Sequence, residues 1–452
     1  MSAPRVQPAR RIAYRVLRAV EQDDAYANLL LPALLAEARL APADAALATE
    51  LTYGTLRRRG FYDRVISLVV DRPLARMDPE VLDALRLGVH QLLETRVAPH
   101  AAVGESVALV ASAGKGSARG FANGVLRTIA RSTPEQWRAR ALEGLEGDAR
   151  RAMETAHPEW VVAAFRDALS AEGNRDLDAL LAADNLPPAV SLVALPGLAE
   201  AAEVGEPGGV SPLAARSAGG DPAENPVVAS GRARVQDEGS QLAALALSRA
   251  RAVLPGERWL DMCAGPGGKA ALLAAEAAGG GASLIANELI PARAGLVRSA
   301  LAVFDPAPPV LEGDATRFAG EPASFDRILL DAPCTGLGAL RRRPEARWRK
   351  TPDDLPGLTR VQAALLDAAI AALKPGGILA YVTCSPHPAE TRQIVAAARE
   401  RHPEVEPVDT PAVLAAVATR DLELPPESHA QLWPHRHGTD AMFIQLLAKV
   451  AT

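Results

Sequence analysis

Three cysteines are the residues whose type and position in this sequence best suit chemistry, and the chain has no others. Cys334 follows a predicted buried strand, Arg327–Asp331, and Cys384 follows a second one, Ile378–Thr383. A thiolate at the edge of a sheet can act as a nucleophile, although free cysteines are often small buried apolar residues. For Cys263, in a glycine-rich turn, the apolar interpretation is favoured, with a backbone contact to a ligand. The other two, in polar turns after strands, indicate chemistry.

The reaction that best matches these side chains is methylation of a pyrimidine ring at C5. A thiolate that adds to C6 makes C5 able to attack a methyl sulfonium, which C5 of cytosine otherwise hardly does. The proton on C5 must then leave so that the thiolate can be eliminated. Such a site needs a nucleophile, a general base and a group that shares a proton with N3 of the ring. Cys384, Cys334 and Asp331 are side chains of these types.

A glycine-rich turn, Gly265–Lys269, lies between a predicted strand, Arg258–Asp261, and a predicted helix, Lys269–Ala278. Glu288 follows about twenty residues later, as in nucleotide-binding βαβ units, where glycines let backbone approach the ligand and a carboxylate accepts hydrogen bonds from ribose. Pro266 has no backbone N–H, which weakens a cradle for pyrophosphate. The turn therefore suits S-adenosylmethionine, which has no phosphate, better than a nicotinamide dinucleotide.

S-adenosylmethionine offers a carboxylate, a sulfonium and an adenosine, and the sequence has side chains suited to each. Lys269 suits the carboxylate, and Asp314, after the third predicted strand, can reach the adenine amine. Carboxylates at the strand ends, Asp331 among them, suit the sulfonium cation. A nicotinamide cofactor, or an ordinary strand–turn–helix that binds no ligand, remains an alternative.

The composition indicates a globular protein of several domains. A chain of 452 residues, nearly half of them apolar, is long enough for two to four domains. No apolar run approaches the roughly 20 residues that span a bilayer, and the N-terminus lacks the apolar core of a signal peptide. An odd number of cysteines without close pairing indicates a reducing cytosol, and the absence of a CxxC motif argues against a metal site. We therefore expect a cytoplasmic protein without membrane or metal partners.

Hydrophobic periodicity divides the chain into three segments. Residues 1–135 show helical spacing throughout and predict an all-α bundle. Residues 136–235 predict further helices and then a linker or small αβ module with short strands. From 236 to 452, apolar runs suited to buried strands alternate with helical stretches, which predicts a doubly wound, mostly parallel sheet. Ligands bind such sheets at the carboxyl ends of the strands.

Arginine clusters directly follow the turn that carries Cys334. The formal net charge of −5 does not by itself indicate a nucleic-acid-binding protein. Arginine, however, forks onto phosphate and stacks on bases. We predict that five residues hold RNA phosphates next to a flipped base: Arg341, Arg342, Arg343, Arg347 and Lys350. The alternative is an ordinary solvated charged face.

Several motifs together resemble a known family. They are Asp261–Lys269, Glu288 with Arg293, Gly313-Asp314, the run from Asp331 to Glu345, Thr383–Ser385 with Glu390, and Asp440–Phe443. On these motifs the sequence resembles the Fmu/Sun family of RNA cytosine-5 methyltransferases, above all its bacterial 16S ribosomal RNA members, over almost its whole length. The resemblance implies a Rossmann-like α/β methyltransferase domain with a mostly parallel, seven-stranded sheet.

The resemblance also assigns roles to individual residues. It implies that Cys384 is the nucleophile and that Cys334 assists proton removal and product release. The residues that it places at the cofactor are Cys263, Ala264, Gly265, Pro266, Gly267, Gly268, Lys269, Glu288, Arg293, Asp314 and Asp331. The sequence departs from the family pattern at Ala270, where threonine is common, and at Thr391, where asparagine is common. Neither departure affects the two cysteines.

The N-terminal segment resembles the RNA-binding antitermination factor NusB, on Gly120–Arg127 and Val103–Glu105. This likeness favours a 16S ribosomal RNA substrate. We expect that RNA to be unassembled or partly assembled, because the target base must be unstacked, and we expect the enzyme to be a monomer. Two alternatives remain open. One is a tRNA cytosine-5 methyltransferase, and the other is an RNA-binding or assembly factor with a silent catalytic domain, against which the two retained cysteines argue.

Overall fold

The computed structural model describes residues 6–171, 176–317 and 323–450. The chain forms two compact units. The helical unit comprises Met1–Ala163 together with Arg342–Lys350, and the sheet unit comprises Ala164–Arg341 together with Thr351–Thr452. Within the described residues, no helix is long and apolar enough to cross a bilayer.

The helical unit is built from short amphipathic helices around one apolar core. Five of its helices begin with proline in the first turn, where the missing N–H is not needed. Helix α5 is buried along most of its length and packs against α3, α4, α6 and α7. The helices are α1 (Pro8–Gln22), α2 (Ala27–Ala38), α3 (Pro42–Arg57), α4 (Arg59–Ser67), α5 (Pro79–Glu94), α6 (Pro99–Ser112), α7 (Arg119–Ile129), α8 (Pro134–Leu142) and α9 (Gly147–Thr155). Helix α10 (Glu159–Ala171) runs across the boundary between the units.

The sheet unit begins with a small antiparallel sheet of order β2-β3-β1-β4. The helices and strands of this first part of the sheet unit are α11 (Leu177–Ala183), β1 (Ser191–Ala194), α12 (Ala201–Val204), β2 (Glu206–Pro207), β3 (Ala214–Arg216), α13 (Pro226–Ala229) and β4 (Ala233–Val235). The Glu238 carboxylate accepts hydrogen bonds from the backbone N–H groups of Gly209, Val210 and Ser211. These bonds join the small sheet to the helix that leads into the main sheet.

The main sheet has eight strands in the described part of the chain, with seven in the order β10-β12-β9-β8-β5-β6-β7 and β11 beside β12. The strands are β5 (Arg258–Asp261), β6 (Ser283–Glu288), β7 (Val310–Glu312), β8 (Phe325–Asp331), β9 (Leu373–Thr383), β10 (Val405–Pro407), β11 (Ala430–Gln431) and β12 (Phe443–Lys449). The helices are α14 (Glu238–Ser248), α15 (Gly268–Gly279), α16 (Pro291–Leu301), α17 (Ala346–Arg349), α18 (Leu355–Ala372), α19 (Arg392–Arg401), α20 (Thr410–Val417) and α21 (Pro434–His437). Of these, α17 belongs to the helical unit.

Strands β5 to β9 pair in parallel, and β10, β11 and β12 pair antiparallel. Apolar clusters cover both faces, as in doubly wound folds. The predicted fold class, a helical bundle followed by a mostly parallel sheet, is confirmed. Because β9, β8, β5 and β6 are neighbours, their carboxyl ends place Thr383, Asp331, Asp261 and Glu288 along one edge.

Candidate active site

The two cysteines that follow β8 and β9 lie side by side. Asp331 is opposite Val382 in the register of these strands, and the N–H of Ala332 donates to the carbonyl oxygen of Val382 at 2.9 Å. The turns that follow therefore leave the sheet together. The Sγ atoms of Cys334 and Cys384 are 3.5 Å apart, and both side chains are half-buried.

The contact between the two sulfur atoms changes the proton affinity of Cys334. The pKa of Cys334 is raised well above its usual value, first by the hydrogen bond to Cys384 and then by burial. Cys334 therefore holds its proton more firmly than an ordinary cysteine does. Burial also raises the pKa of the third thiol, Cys263.

Gly338 lets the segment after Cys334 pack directly against the backbone at Cys384. Its N–H donates to the carbonyl oxygen of Cys384 and its own carbonyl accepts from the N–H of Ala441, both at 2.9 Å. A Cβ at this position would lie 2.0 Å from the Ala441 oxygen and 2.9 Å from the Cys384 oxygen. Any side chain here would push the backbone of the cysteine turn away, so glycine is required.

A lysine and two carboxyl groups stand beside the thiols. Lys269 Nζ donates to Asp331 Oδ2 at 2.8 Å. Burial lowers the pKa of Lys269, but Asp331, Cys384 and Asp261 outweigh it, so that the pKa is raised and the ammonium is retained. Burial, followed by the charge of Asp331, raises the pKa of Asp261 to about 8. The sequence predicted Lys269 as a partner of the cofactor's carboxylate, whereas here its partner is Asp331.

The glycine-rich turn between β5 and α15 closes onto Glu288. The N–H of Gly265 donates to Glu288 Oε2 at 2.9 Å, and Arg293 donates to the carbonyl oxygen of Gly265 at 2.6 Å. Gly267 has φ of 102°, in the left-handed region that favours glycine. At Gly265 a Cβ would lie 2.3 Å from Glu288 Oε2, and at Gly267 it would lie 2.6 Å from the Cβ of Ala300. Glycine at these two positions therefore lets the turn pack closely against Glu288 and Ala300.

The donor set along this edge fits S-adenosylmethionine. Glu288, at the end of β6, can accept hydrogen bonds from ribose hydroxyls. Asp314 is exposed beyond β7, where its Oδ1 accepts from the N–H and hydroxyl of Thr316. The roles of Asp314 toward the adenine amine and of Asp331 toward the sulfonium remain predictions. Asn287 fixes the edge by donating to the carbonyl oxygens of Met262 and Gly313.

Two of the five predicted phosphate-binding residues are buried. Arg341 is 8% exposed, donates to the carbonyl oxygen of Gly438 at 3.0 Å and lies 3.6 Å from a carboxylate oxygen of Asp440. Arg347 is 0% exposed and donates to the carbonyl oxygen of Ala156 at 3.0 Å. The expectation that these two guanidinium groups face RNA is corrected by their burial, because a group enclosed by protein is not presented to a phosphate.

The other three basic residues are half-buried. They are Arg342, Arg343 and Lys350, and the guanidinium of Arg343 lies over the ring of Tyr26 at 5.4 Å from its centroid. The phosphate-binding prediction remains a proposal for these three residues.

A buried polar group connects the two cysteine turns, and the sequence motifs did not show it. Thr335, next to Cys334, and Ser385, next to Cys384, both bond to the carboxylate of Glu390. In the sequence, Glu390 stands out only as part of a family motif. Its separation of 55 positions from Thr335 gives no sign of a contact.

The comparisons with known proteins agree with this geometry. A family model described as 16S rRNA methyltransferase RsmB/F matches residues 250–448, and the NusB family model matches residues 7–131. Ribosomal RNA small subunit methyltransferase B of Pseudomonas putida is 33% identical over 98% of both chains. The chain belongs to the RsmB/F methyltransferase family. Rv1407 of Mycobacterium tuberculosis, whose name gives a methyltransferase without a substrate, is 48% identical over 98% of this chain and 97% of its own.

Solved structures show the same fold. The crystal structure of PH0851 superposes with a TM-score of 0.82 at 21% identity, covering 99% of this chain and 100% of that one. The predicted resemblance is therefore confirmed, and so is the predicted cofactor: this RsmB/F-type chain is an S-adenosylmethionine-dependent RNA methyltransferase with an N-terminal NusB domain.

Substitution of Gly265 by alanine should weaken S-adenosylmethionine binding about tenfold or more, which is about 1.4 kcal/mol. The added methyl group would collide with the Glu288 carboxylate at 2.3 Å and displace it from the ribose position. Isothermal titration calorimetry measures the effect. Gly279→Ala is the matched control, because Gly279 ends α15, the helix that follows this turn, and a Cβ there meets nothing within 4 Å. Equal affinity in both variants would contradict the role given to this turn.

Proposed function

We propose that this protein transfers a methyl group from S-adenosylmethionine to C5 of a cytidine in 16S ribosomal RNA. Cys384 is the nucleophile that bonds to C6, and Cys334 is the base that removes the C5 proton. The observation that carries the proposal is the 3.5 Å separation of the two sulfur atoms at the carboxyl edge of the sheet, beside the Lys269–Asp331 pair.

Each thiol has a different task. The Cys384 sulfur donates an electron pair to C6, and the electrons of the C5–C6 double bond become available at C5. C5 would then bond to the electrophilic methyl carbon of the sulfonium as the methyl–sulfur bond breaks, which would leave the cofactor sulfur as a neutral thioether. Cys334 then takes the proton from C5, the double bond re-forms, and the bond between C6 and sulfur breaks. The nucleophile leaves as a thiolate, ready for another cycle.

The raised pKa of Cys334 supports this order of events. The first cause of the shift is the hydrogen bond to Cys384. Once Cys384 has become a thioether, its charge is gone and it is a weaker hydrogen-bond partner. The half-buried Cys334 thiol then gives its proton to solvent more readily, and the resulting thiolate can take the proton from C5.

We propose that Asp331 and Lys269 act at N3, which lies across the pyrimidine ring from C6. Negative charge that develops at N3 after addition to C6 needs a proton donor. The Lys269 ammonium, which already donates to Asp331 at 2.8 Å, is the proton-bearing group of this pair. We propose that the pair delivers a shared proton to N3 and so favours the adduct.

The substrate nucleotide must leave its stack before this chemistry can occur. Stacked neighbours cover C6 from above and below, so a loop nucleotide in unassembled or partly assembled 16S RNA fits better than a paired base. Arg342, Arg343 and Lys350 are proposed to contact adjacent phosphates. We also propose that the enzyme works as a monomer in the cytoplasm, where such RNA is made.

The function is tested by identifying the modified nucleoside. 16S RNA from a strain that lacks the gene, intact small subunits and bulk tRNA would each be incubated with enzyme and methyl-labelled S-adenosylmethionine. After digestion, liquid chromatography with mass spectrometry should find 5-methylcytidine in the 16S RNA. Label confined to tRNA would favour the tRNA alternative, and no label in any RNA would favour a silent binding factor.

A further inference from the structure

The carboxylate of Glu390 lies between the two cysteine turns and is completely buried. Its Oε1 accepts from the backbone N–H of Thr335 at 2.8 Å and from the Gln362 amide at 3.1 Å. Its Oε2 accepts from the hydroxyl of Thr335 at 2.5 Å and from the hydroxyl of Ser385 at 2.7 Å. One carboxylate thus receives hydrogen bonds from residues adjacent in sequence to each cysteine.

These four donors explain how a buried carboxylate is tolerated. Burial of an isolated charge is strongly unfavourable, whereas a carboxylate that accepts several hydrogen bonds is stabilised. The backbone of Glu390 is fixed as well, because the hydroxyl of Tyr381 donates to the Glu390 carbonyl oxygen at 2.8 Å. The Gln362 amide in addition donates to the carbonyl oxygen of Pro333 at 2.9 Å, the residue just before Cys334.

We propose that Glu390 is a positioning residue that holds the Cys334 and Cys384 sulfur atoms at the separation that proton removal requires. The proposal rests on the proposed function for its effect on methylation, but not for its effect on the distance between the thiols. The two turns follow different strands, and the Glu390 carboxylate bonds to both of them. Two further contacts connect the turns: the Thr335 and Ser385 hydroxyls are 3.0 Å apart, and the Gly338 N–H donates to the Cys384 carbonyl oxygen.

Glu390→Asp is the informative variant. Aspartate keeps the charge but shortens the side chain by one methylene, about 1.5 Å, so that it cannot reach both turns. Glu390→Gln keeps the length of the side chain, and the Thr335 and Ser385 hydroxyls can rotate to accept from its amide. This variant should therefore retain much of the wild-type rate in both readouts below. Glu400→Gln, on the exposed face of α19, is the matched control.

The first readout is the rate at which the two thiols form a disulfide. Diamide takes one hydrogen atom from each thiol, is reduced to the hydrazine, and leaves a bond between the two sulfurs. Peptide mass spectrometry maps the Cys334–Cys384 link separately from Cys263. We expect Glu390→Asp to slow this reaction about tenfold or more, and Glu400→Gln to leave it unchanged.

The second readout is methylation. Glu390→Asp should lower kcat about 10- to 100-fold with little change in KM for RNA, because a misplacement of about 1 Å at the reacting groups has effects of this size. Ser385→Ala removes one donor and leaves Glu390 in place, so it tests the same idea with a smaller disturbance if the aspartate variant does not fold. It should slow disulfide formation several-fold.

The outcomes are distinguishable. Unchanged disulfide rates in Glu390→Asp and Ser385→Ala would overturn the positioning role, whatever happens to stability. Slower disulfide formation with rescue by glutamine supports it. If disulfide formation slows while wild-type enzyme makes no 5-methylcytidine, the positioning role stands and the proposed function fails.

Discussion

Replacement of Cys384 by alanine should lower the rate of methyl transfer by at least about 10,000-fold, because C5 of an unactivated cytosine barely attacks a methyl sulfonium. Cys384→Ser should be almost as inactive, since a hydroxyl of ordinary pKa does not supply the anion that a thiol does. The measurement is single-turnover incorporation of labelled methyl groups into 16S RNA. The two variants separate the chemistry of sulfur from the shape of the side chain.

The control for this experiment is cofactor binding. Glu288, Asp314 and the glycine-rich turn belong to other strand ends, so both variants should bind S-adenosylmethionine with nearly wild-type affinity in calorimetry. Retention of more than about a tenth of the wild-type rate by Cys384→Ala would exclude the covalent route, because loss of a nucleophile acting in a unit is not so mild.

Replacement of Cys334 by alanine should have a different result: methylation of at most one equivalent of RNA, followed by arrest. Without the base, the C5 proton stays in place and the bond from Cys384 to C6 cannot be eliminated. Loss of a general base costs about 100- to 10,000-fold, here in the release step. Steady-state turnover should therefore fall while the first methyl transfer survives.

The arrested species is visible by gel electrophoresis. A protein–RNA band that resists denaturant should appear with Cys334→Ala, S-adenosylmethionine and RNA, and should be missing with the double variant that also lacks Cys384. Full multiple turnover by Cys334→Ala without such a band would refute the role of Cys334 in release.

Much of this site follows from the order of strands along the chain. The apolar runs Arg258–Asp261 and Val310–Glu312 predicted β5 and β7 with the bounds that are observed. Because parallel strands share one carboxyl edge, the positions of Asp331 and the two cysteines after their strands were enough to expect them near each other. Strand β5 is buried at three of its four positions, and the apolar pair Trp259-Leu260 gives its sequence signal.

Other features depend on contacts that local patterns do not encode. The guanidinium of Arg347 is enclosed and bonded to Ala156, yet its sequence neighbours are charged and resemble a solvated RNA-binding cluster. Arginine serves equally as a phosphate ligand and as a donor to buried carbonyl groups. The residue type alone therefore does not show whether an arginine binds RNA or is buried in the protein. The link from Glu390 to Thr335 joins residues 55 positions apart and has no periodicity to reveal it.

The covalent bond itself is the most direct test. The adduct formed by Cys334→Ala with 16S RNA would be digested with nuclease and trypsin and its peptides sequenced by mass spectrometry. We expect a single cross-linked peptide that contains Cys384 carrying a methylated cytidine. A nucleotide attached to Cys263 in Cys334→Ala or to Cys334 in Cys384→Ala, or active enzyme in which no sulfur ever carries RNA, would contradict the covalent role of Cys384.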